Sequence, residues 1–145
     1  MFAGNVARVA WLGGTIDSSS IDVVAIMQPQ QKSQVAMMAA NNGFRVDRDE
    51  VERAEELDLI PLRWNGVRVH VLVASNALYA TMVRDAWNER FGENEWHVPS
   101  REDLALLLAL GEEDDALRAV IALPEFDRAK YNARVASIGL AELAV

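Results

Sequence analysis

Apolar and polar residues follow two rhythms along this chain, a strand rhythm at positions 20–27 and 59–74 and a helical one over much of the remainder. Residues 20–27, SIDVVAIM, are rich in β-branched side chains and lie between a polar loop and Pro29, the pattern of a buried strand, here expected to be the central one. LIPLRW and VRVHVLVA flank Asn65-Gly66. That dipeptide suits a two-residue type I′ turn, in which both positions need positive φ, so a β-hairpin is predicted. Along its second strand Val67, Val69, Val71 and Val73 share one side and Arg68, His70 and Leu72 the other, because strand side chains alternate. His70 therefore faces away from the valine row. Pro61 cannot donate to a ladder, which marks its strand as an edge.

The helical rhythm predicts a first helix over 6–12, capped by Asn5 and broken by Gly13-Gly14. A second is expected over 29–42, covering the sheet with Val35, Met38 and Ala39 and stopped by Gly43. Residues 44–46 read as a short strand, and Asp47 with Glu50 as a capping box that opens an acidic helix to Glu56. Ser75 or Asn76 caps a predicted helix running to Phe91, with Tyr79, Met82, Val83, Ala86 and Arg90 at helical spacing and Gly92 as its stop. Residues 96–98 read as an extended link. Ser100, with Asp103 three residues on, opens a helix through LALLLAL to Gly111, whose nearly continuous apolar face implies deep burial. Two more helices are expected over 112–123 and 126–138, separated by Pro124 and ended by Gly139. There is no repeat or low-complexity segment.

At 145 residues, one domain is the expectation, and a domain of that size buries roughly 70% of the surface of its unfolded chain. We read 1–145 as that single domain, with a sheet-containing core at 1–98 and helices at 99–145. The absence of cysteine excludes disulfides, thiolate nucleophiles and Cys-based metal sites. A net charge of −8 opposes binding to nucleic acid, whose affinity comes largely from Lys and Arg on phosphates. The acidic residues concentrate in 47–58 and in Glu112-Glu113-Asp114-Asp115, which read as a solvated helix face and a helix start. No apolar run reaches the roughly 18 residues that cross a bilayer, and Met1-Phe2-Ala3-Gly4 lacks the opening of a signal peptide, so no membrane association and a cytoplasmic location are expected.

The order of elements is a Gly-containing turn with a helix, a strand carrying a carboxylate, a helix, a hairpin and a helical tail that begins VPSREDLALLLAL. It resembles the nucleotidyltransferase-like superfamily, the minimal nucleotidyltransferases and the toxins of type IV toxin–antitoxin systems. The resemblance covers most of the chain and implies a mixed β-sheet with covering helices and a C-terminal helical segment, an α/β (α+β) fold. In those families an apolar residue, Gly, and Gly or Ser open a helix, an Asp-x-Asp follows in a strand, and a third Asp stands in a hairpin strand. Ala3-Gly4-Asn5 resembles the first piece, Ser20-Ile21-Asp22-Val23-Val24 the second, and GVRVHVLVASNALYATMVRDA the third. The resemblance thus implies nucleotide contacts at Gly4, Asn5, Ser20 and Asp22 and a metal contact at Asp22. It places the family's leading strand ahead of Met1.

The departures from the pattern fall on the chemistry. Two Mg²⁺ ions stabilise the attacking and leaving oxygens of such transfers, and carboxylates hold them. Ser20 and Asp22 share a strand face but supply one charge where the family has two, His70 stands in place of the third carboxylate, and Leu108 falls where the family carries a lysine. Neutral imidazole is a poor Mg²⁺ ligand. The catalytic positions Ser20, Asp22 and His70 are therefore read as vestigial, with no cofactor expected and Mg²⁺ plus nucleotide only where the site still functions. Asp17 lies in the loop before the strand, outside the i, i+2 pattern, and Asp22 with His70 falls short of the three or four ligands of a zinc site. His97, with no motif around it, reads as structural, and so do the four tryptophans, which no basic groove accompanies. No phosphate loop, Gly-x-Ser-x-Gly elbow or His-Glu-x-x-His occurs. Three functions remain open: a binding or regulatory module with a protein partner or nucleotide ligand, an active transferase with a rearranged site, and a structural homo-oligomer.

Overall fold

The computed structural model describes residues 1–16, 19–46, 49, 58–91 and 93–145. Along the chain the described elements run α1 (Gly4–Leu12), β1 (Ser20–Ala25), α2 (Lys32–Asn41), β2 (Leu59–Trp64), β3 (Val67–Val73), α3 (Ala77–Arg84), β4 (Trp87–Phe91), β5 (Asn94–Val98), α4 (Arg101–Leu110), α5 (Asp114–Ile121) and α6 (Arg128–Ser137). The fold is mixed α/β, as the two rhythms of the sequence predict. Three strands form one sheet in the order β1-β3-β2, with β1 and β3 parallel and β2 and β3 antiparallel, and β4 pairs β5 in a second. The hairpin turn is the expected one, with φ of 49° at Asn65 and 85° at Gly66, and Pro61 lies on the outer strand β2.

The expected central strand is displaced. β3 occupies the middle of its sheet, and β1 stops at Ala25, leaving Ile26 half exposed. β1 nevertheless has neighbours on both sides, because residues 1–3 run antiparallel along its free edge. The Ala3 amide donates to Asp22 O at 2.8 Å and the Val24 amide to Met1 O at 2.8 Å. On its other side the Phe2 amide donates to His97 O at 2.6 Å, so these few residues join the two sheets. The ring of Phe2 packs on Trp96, centroids 4.5 Å apart.

The helix expected over 76–91 is the main correction. Asn76 caps it, its side chain accepting from the Tyr79 amide, but α3 ends at Arg84 and residues 87–91 form β4 against β5. The apolar spacing continues in register past Arg84, but the cross-strand pairs Trp87–Val98 and Glu89–Trp96, together with the Phe2 bond to β5, give this stretch a nonlocal alternative that spacing does not reveal. Residues 96–98, read as a link, belong to β5. Asn5 is not a cap either: Ala3 occupies the N-cap of α1 and Asn5 lies inside the first turn. On α2 the buried positions are Lys32 and Ala36, and Met38 is exposed rather than sheet-covering. The expected strand at 44–46 is a single bridge, Arg45 to Arg63. Asp17, the Gly92 stop, the capping box at Asp47 and Glu50 and the rest of the acidic helix apart from Asp49 lie outside the described residues.

Two cores result. Ala36, Ile60 and Leu62 pack with Val35, Val69 and Val71, so α2 covers the valine face of the sheet. The larger core joins α1 and α3 to the C-terminal helices through Ala7, Met82, Leu104, Leu106, Leu108, Val120, Tyr131 and Val135. Helix α4 is its centre, as LALLLAL implies. Among the described residues no helix is long and apolar enough to cross a membrane.

Candidate functional site

The face of the sheet opposite α2 carries the site. Parallel pairing sets Ser20 opposite Arg68, Asp22 opposite His70 and Val24 opposite Leu72, and side chains directly opposite each other project to the same face. Asp22 Oδ1 and His70 Nδ1 are 3.0 Å apart, with about a third of each side chain exposed. Of the candidate residues predicted from sequence, these two are brought together side chain to side chain.

Gly4 and Asn5 reach β1 from the start of α1. Gly4 has φ +54°, and a Cβ there would lie 2.5 Å from Asp22 Oδ2, so only glycine suits this position. The carboxylate thus sits against the N-terminal end of a helix, where exposed amides and the helix dipole favour negative charge. Asn5 turns away from that role: its side-chain amide donates to Ser20 O at 3.1 Å and fastens α1 to the strand.

Asp22 opens onto a cavity of about 180 Å³. Val24 and Leu72 wall it from the sheet, Tyr79 from α3, and Leu104, Leu107 and Leu108 from α4. Leu108, at the position where the resemblance expects lysine, is buried and faces the same space as Asp22. Arg8 and Glu113 also line the cavity and are ion-paired at 2.7 Å. Sequence reasoning did not anticipate these two. Arg8 follows Gly4 by one helical turn, which places both on one face of α1, but nothing local relates it to a glutamate 105 residues away.

The donor set does not fit a two-metal centre. Among the described residues no three His, Cys, Asp or Glu side chains converge on a common point. Asp22 offers a carboxylate, His70 an imidazole already turned onto it, and Ser20 a hydroxyl, whereas Mg²⁺ takes near-octahedral oxygen ligands. What the arrangement provides is an acidic group held in place at one end of a small, largely apolar chamber. Set against known proteins, the chain matches no family model and no curated relative.

The same sheet face carries a basic feature. Arg45, Arg63 and Arg68 lie in one cross-strand row, Arg45 paired with Arg63 and Arg63 with Arg68, and all three are exposed. Arg68 is in turn opposite Ser20.

Proposed function

We propose that this chain is a nucleotidyltransferase-fold protein without nucleotidyl transfer activity, serving as a binding or regulatory module through the Asp22 cavity. One observation carries it: the carboxylate that survives from the pattern is paired with an imidazole, not with further carboxylates. Metal-assisted phosphoryl transfer draws its rate from charge placed on the attacking and leaving oxygens, and a single carboxylate beside His70 offers little with which to hold that charge. Leucine at 108 removes a cation from the chamber as well. The resemblance extends the proposal to a cytoplasmic role, with the chain as one half of a bacterial two-protein system.

The test is transfer from radiolabelled ATP, GTP, CTP and UTP, with Mg²⁺ or Mn²⁺, to the protein itself and to RNA, for wild type and Asp22→Ala. The expected result is no incorporation in either. Incorporation by wild type that Asp22→Ala abolishes would return the chain to the active transferases. Thermal shift with the same nucleotides runs beside it, since any ligand that binds the folded state alone raises the melting temperature by mass action.

A further inference from the structure

We infer that the Asp22 cavity takes an aliphatic ammonium group, its charge on Asp22 and its alkyl chain between the sheet and α4. The inference rests on this cavity being a binding site, as proposed above, and concerns what fills it.

Three observations lead there. The first is an available acceptor: His70 engages Asp22 Oδ1 at 3.0 Å, while Oδ2 has no hydrogen-bond donor among the described residues. A carboxylate can accept from several donors at once, and its bonds to a charged donor are about twice as strong as neutral ones. The second is the sign of the charge. The one basic side chain lining the cavity, Arg8, is bound to Glu113 at 2.7 Å, so Asp22 and Glu113 against Arg8 leave the lining net negative, in a chain of charge −8. Among the side chains this balance favours a cation over an anion, and it acts against the partial positive charge that the N-terminal end of α1 presents at Gly4. The third is size and polarity. About 180 Å³ walled by Val24, Leu72, Leu104, Leu107 and Leu108 is below the roughly 300–1,000 Å³ of pockets for drug-sized ligands, yet roomy for a short alkyl chain. Asp22 is a third exposed at the mouth of the cavity, so a donor that brings its own apolar stem can meet the carboxylate while its alkyl chain packs on the leucines.

A free alkylamine and a lysine side chain of another protein present the same chemistry, and the experiment separates them. Titrations followed by protein NMR would use n-butylammonium chloride, n-butanol, sodium butyrate and Nα-acetyl-lysine N-methylamide at matched ionic strength, on wild type and on Asp22→Asn. Butylammonium should perturb resonances of residues lining the cavity and bind about tenfold more tightly than butanol or butyrate, with that advantage lost in Asp22→Asn. Tighter binding of the lysine derivative would identify a protein side chain as the source, and tighter binding of butylammonium a free amine. Equal binding of butanol and butylammonium, an unchanged affinity in Asp22→Asn, or no perturbation at the cavity would each overturn the inference. Amine binding alongside nucleotidyl incorporation would instead overturn the absence of transfer activity and leave the ligand class standing.

Discussion

Gly4 and Asp22 are matched to each other: the glycine holds φ +54° at the start of α1, and the space its missing Cβ would take is occupied by Asp22 Oδ2, 2.5 Å away. The contact closes the helix start onto the strand and holds the carboxylate on its helix-facing side, while His70 holds it from β3 at 3.0 Å. The geometry of the candidate site therefore depends on the absence of a methyl group as much as on the presence of a charge.

Gly4→Ala should destabilise the fold by about 1–3 kcal/mol, from left-handed backbone strain plus displacement of Asp22. Strain and displacement separate in a double mutant. In an Asp22→Ala background the displacement vanishes and the backbone cost remains, so the two substitutions should couple by at least about 0.5 kcal/mol in urea melts. Strict additivity would mean that the carboxylate does not constrain Gly4.

The arginine row leads to a second expectation. Arg63 and Arg68 are directly opposite on β2 and β3, and like charges in that position work against pairing. Arg68→Glu converts the pair to opposite charges and should stabilise the protein by about 0.2–1 kcal/mol, as read from urea midpoints. The gain should shrink in high salt, because both positions are exposed and screening acts on them fully. A gain unaffected by salt would point to strand propensity rather than charge.

How much of this could be seen in the sequence differs by element. The β2–β3 hairpin was legible because Asn65-Gly66 states a local backbone requirement, and the alternation along β3 then put His70 on the face that also carries Asp22. Ser100 likewise announced α4, its side chain accepting from the Asp103 amide. The β4–β5 hairpin was not legible: Tyr79, Met82, Val83, Ala86 and Arg90 keep helical spacing across the point where α3 ends. What turns 87–91 into a strand is pairing with β5, itself tied to Phe2 from the far end of the chain. The cavity falls in the same category. Asp22 could be read, but Leu104, Leu107 and Leu108 reach it only because α4 packs back against α1 and α3, a consequence of tertiary burial with no local signature.

Asp103 shows how the C-terminal helices are locked. Its side chain is fully buried, Arg134 Nε lies 3.0 Å from Oδ1, and Ser100 Oγ donates to Oδ2 at 3.1 Å. Burial pushes the carboxyl above its ordinary range, and Arg134 and the Ser100 hydrogen bond only partly offset that. A carboxyl whose folded pKa is raised gives stability that is complete below about pH 4 and is lost as pH rises through the folded value. Arg134→Met should cost about 3–5 kcal/mol at neutral pH, because it leaves a buried carboxylate without its cation. The cost should diminish in acid as Asp103 takes up a proton. Urea melts of wild type and variant across that range check both, and a cost independent of pH would show that Arg134 acts by packing alone.

Glu102, the neighbouring residue on α4, titrates in the opposite sense. Its side chain is also buried, yet it accepts from the Asp127 amide at 3.1 Å and from Lys130 Nζ at 3.0 Å, joining the start of α4 to the start of α6. Burial pushes this carboxyl up, but the Asp127 amide and Lys130 outweigh burial and hold it below its ordinary value. The stability it gives is therefore present above about pH 4.3 and is lost as pH falls through the folded pKa. Glu102→Gln keeps the shape and the acceptor oxygen while removing the charge, and should cost about 1–3 kcal/mol at neutral pH. The difference from wild type should close on acidification, the reverse of the approach to neutrality that weakens the Asp103 contribution. Lys130→Met, which removes one of the two groups holding Glu102 down, should shift the acid limb of the stability profile to higher pH. An unmoved limb would assign the lowered pKa to the Asp127 amide, leaving the lysine, with 41% of its side chain exposed, as a surface partner of little weight.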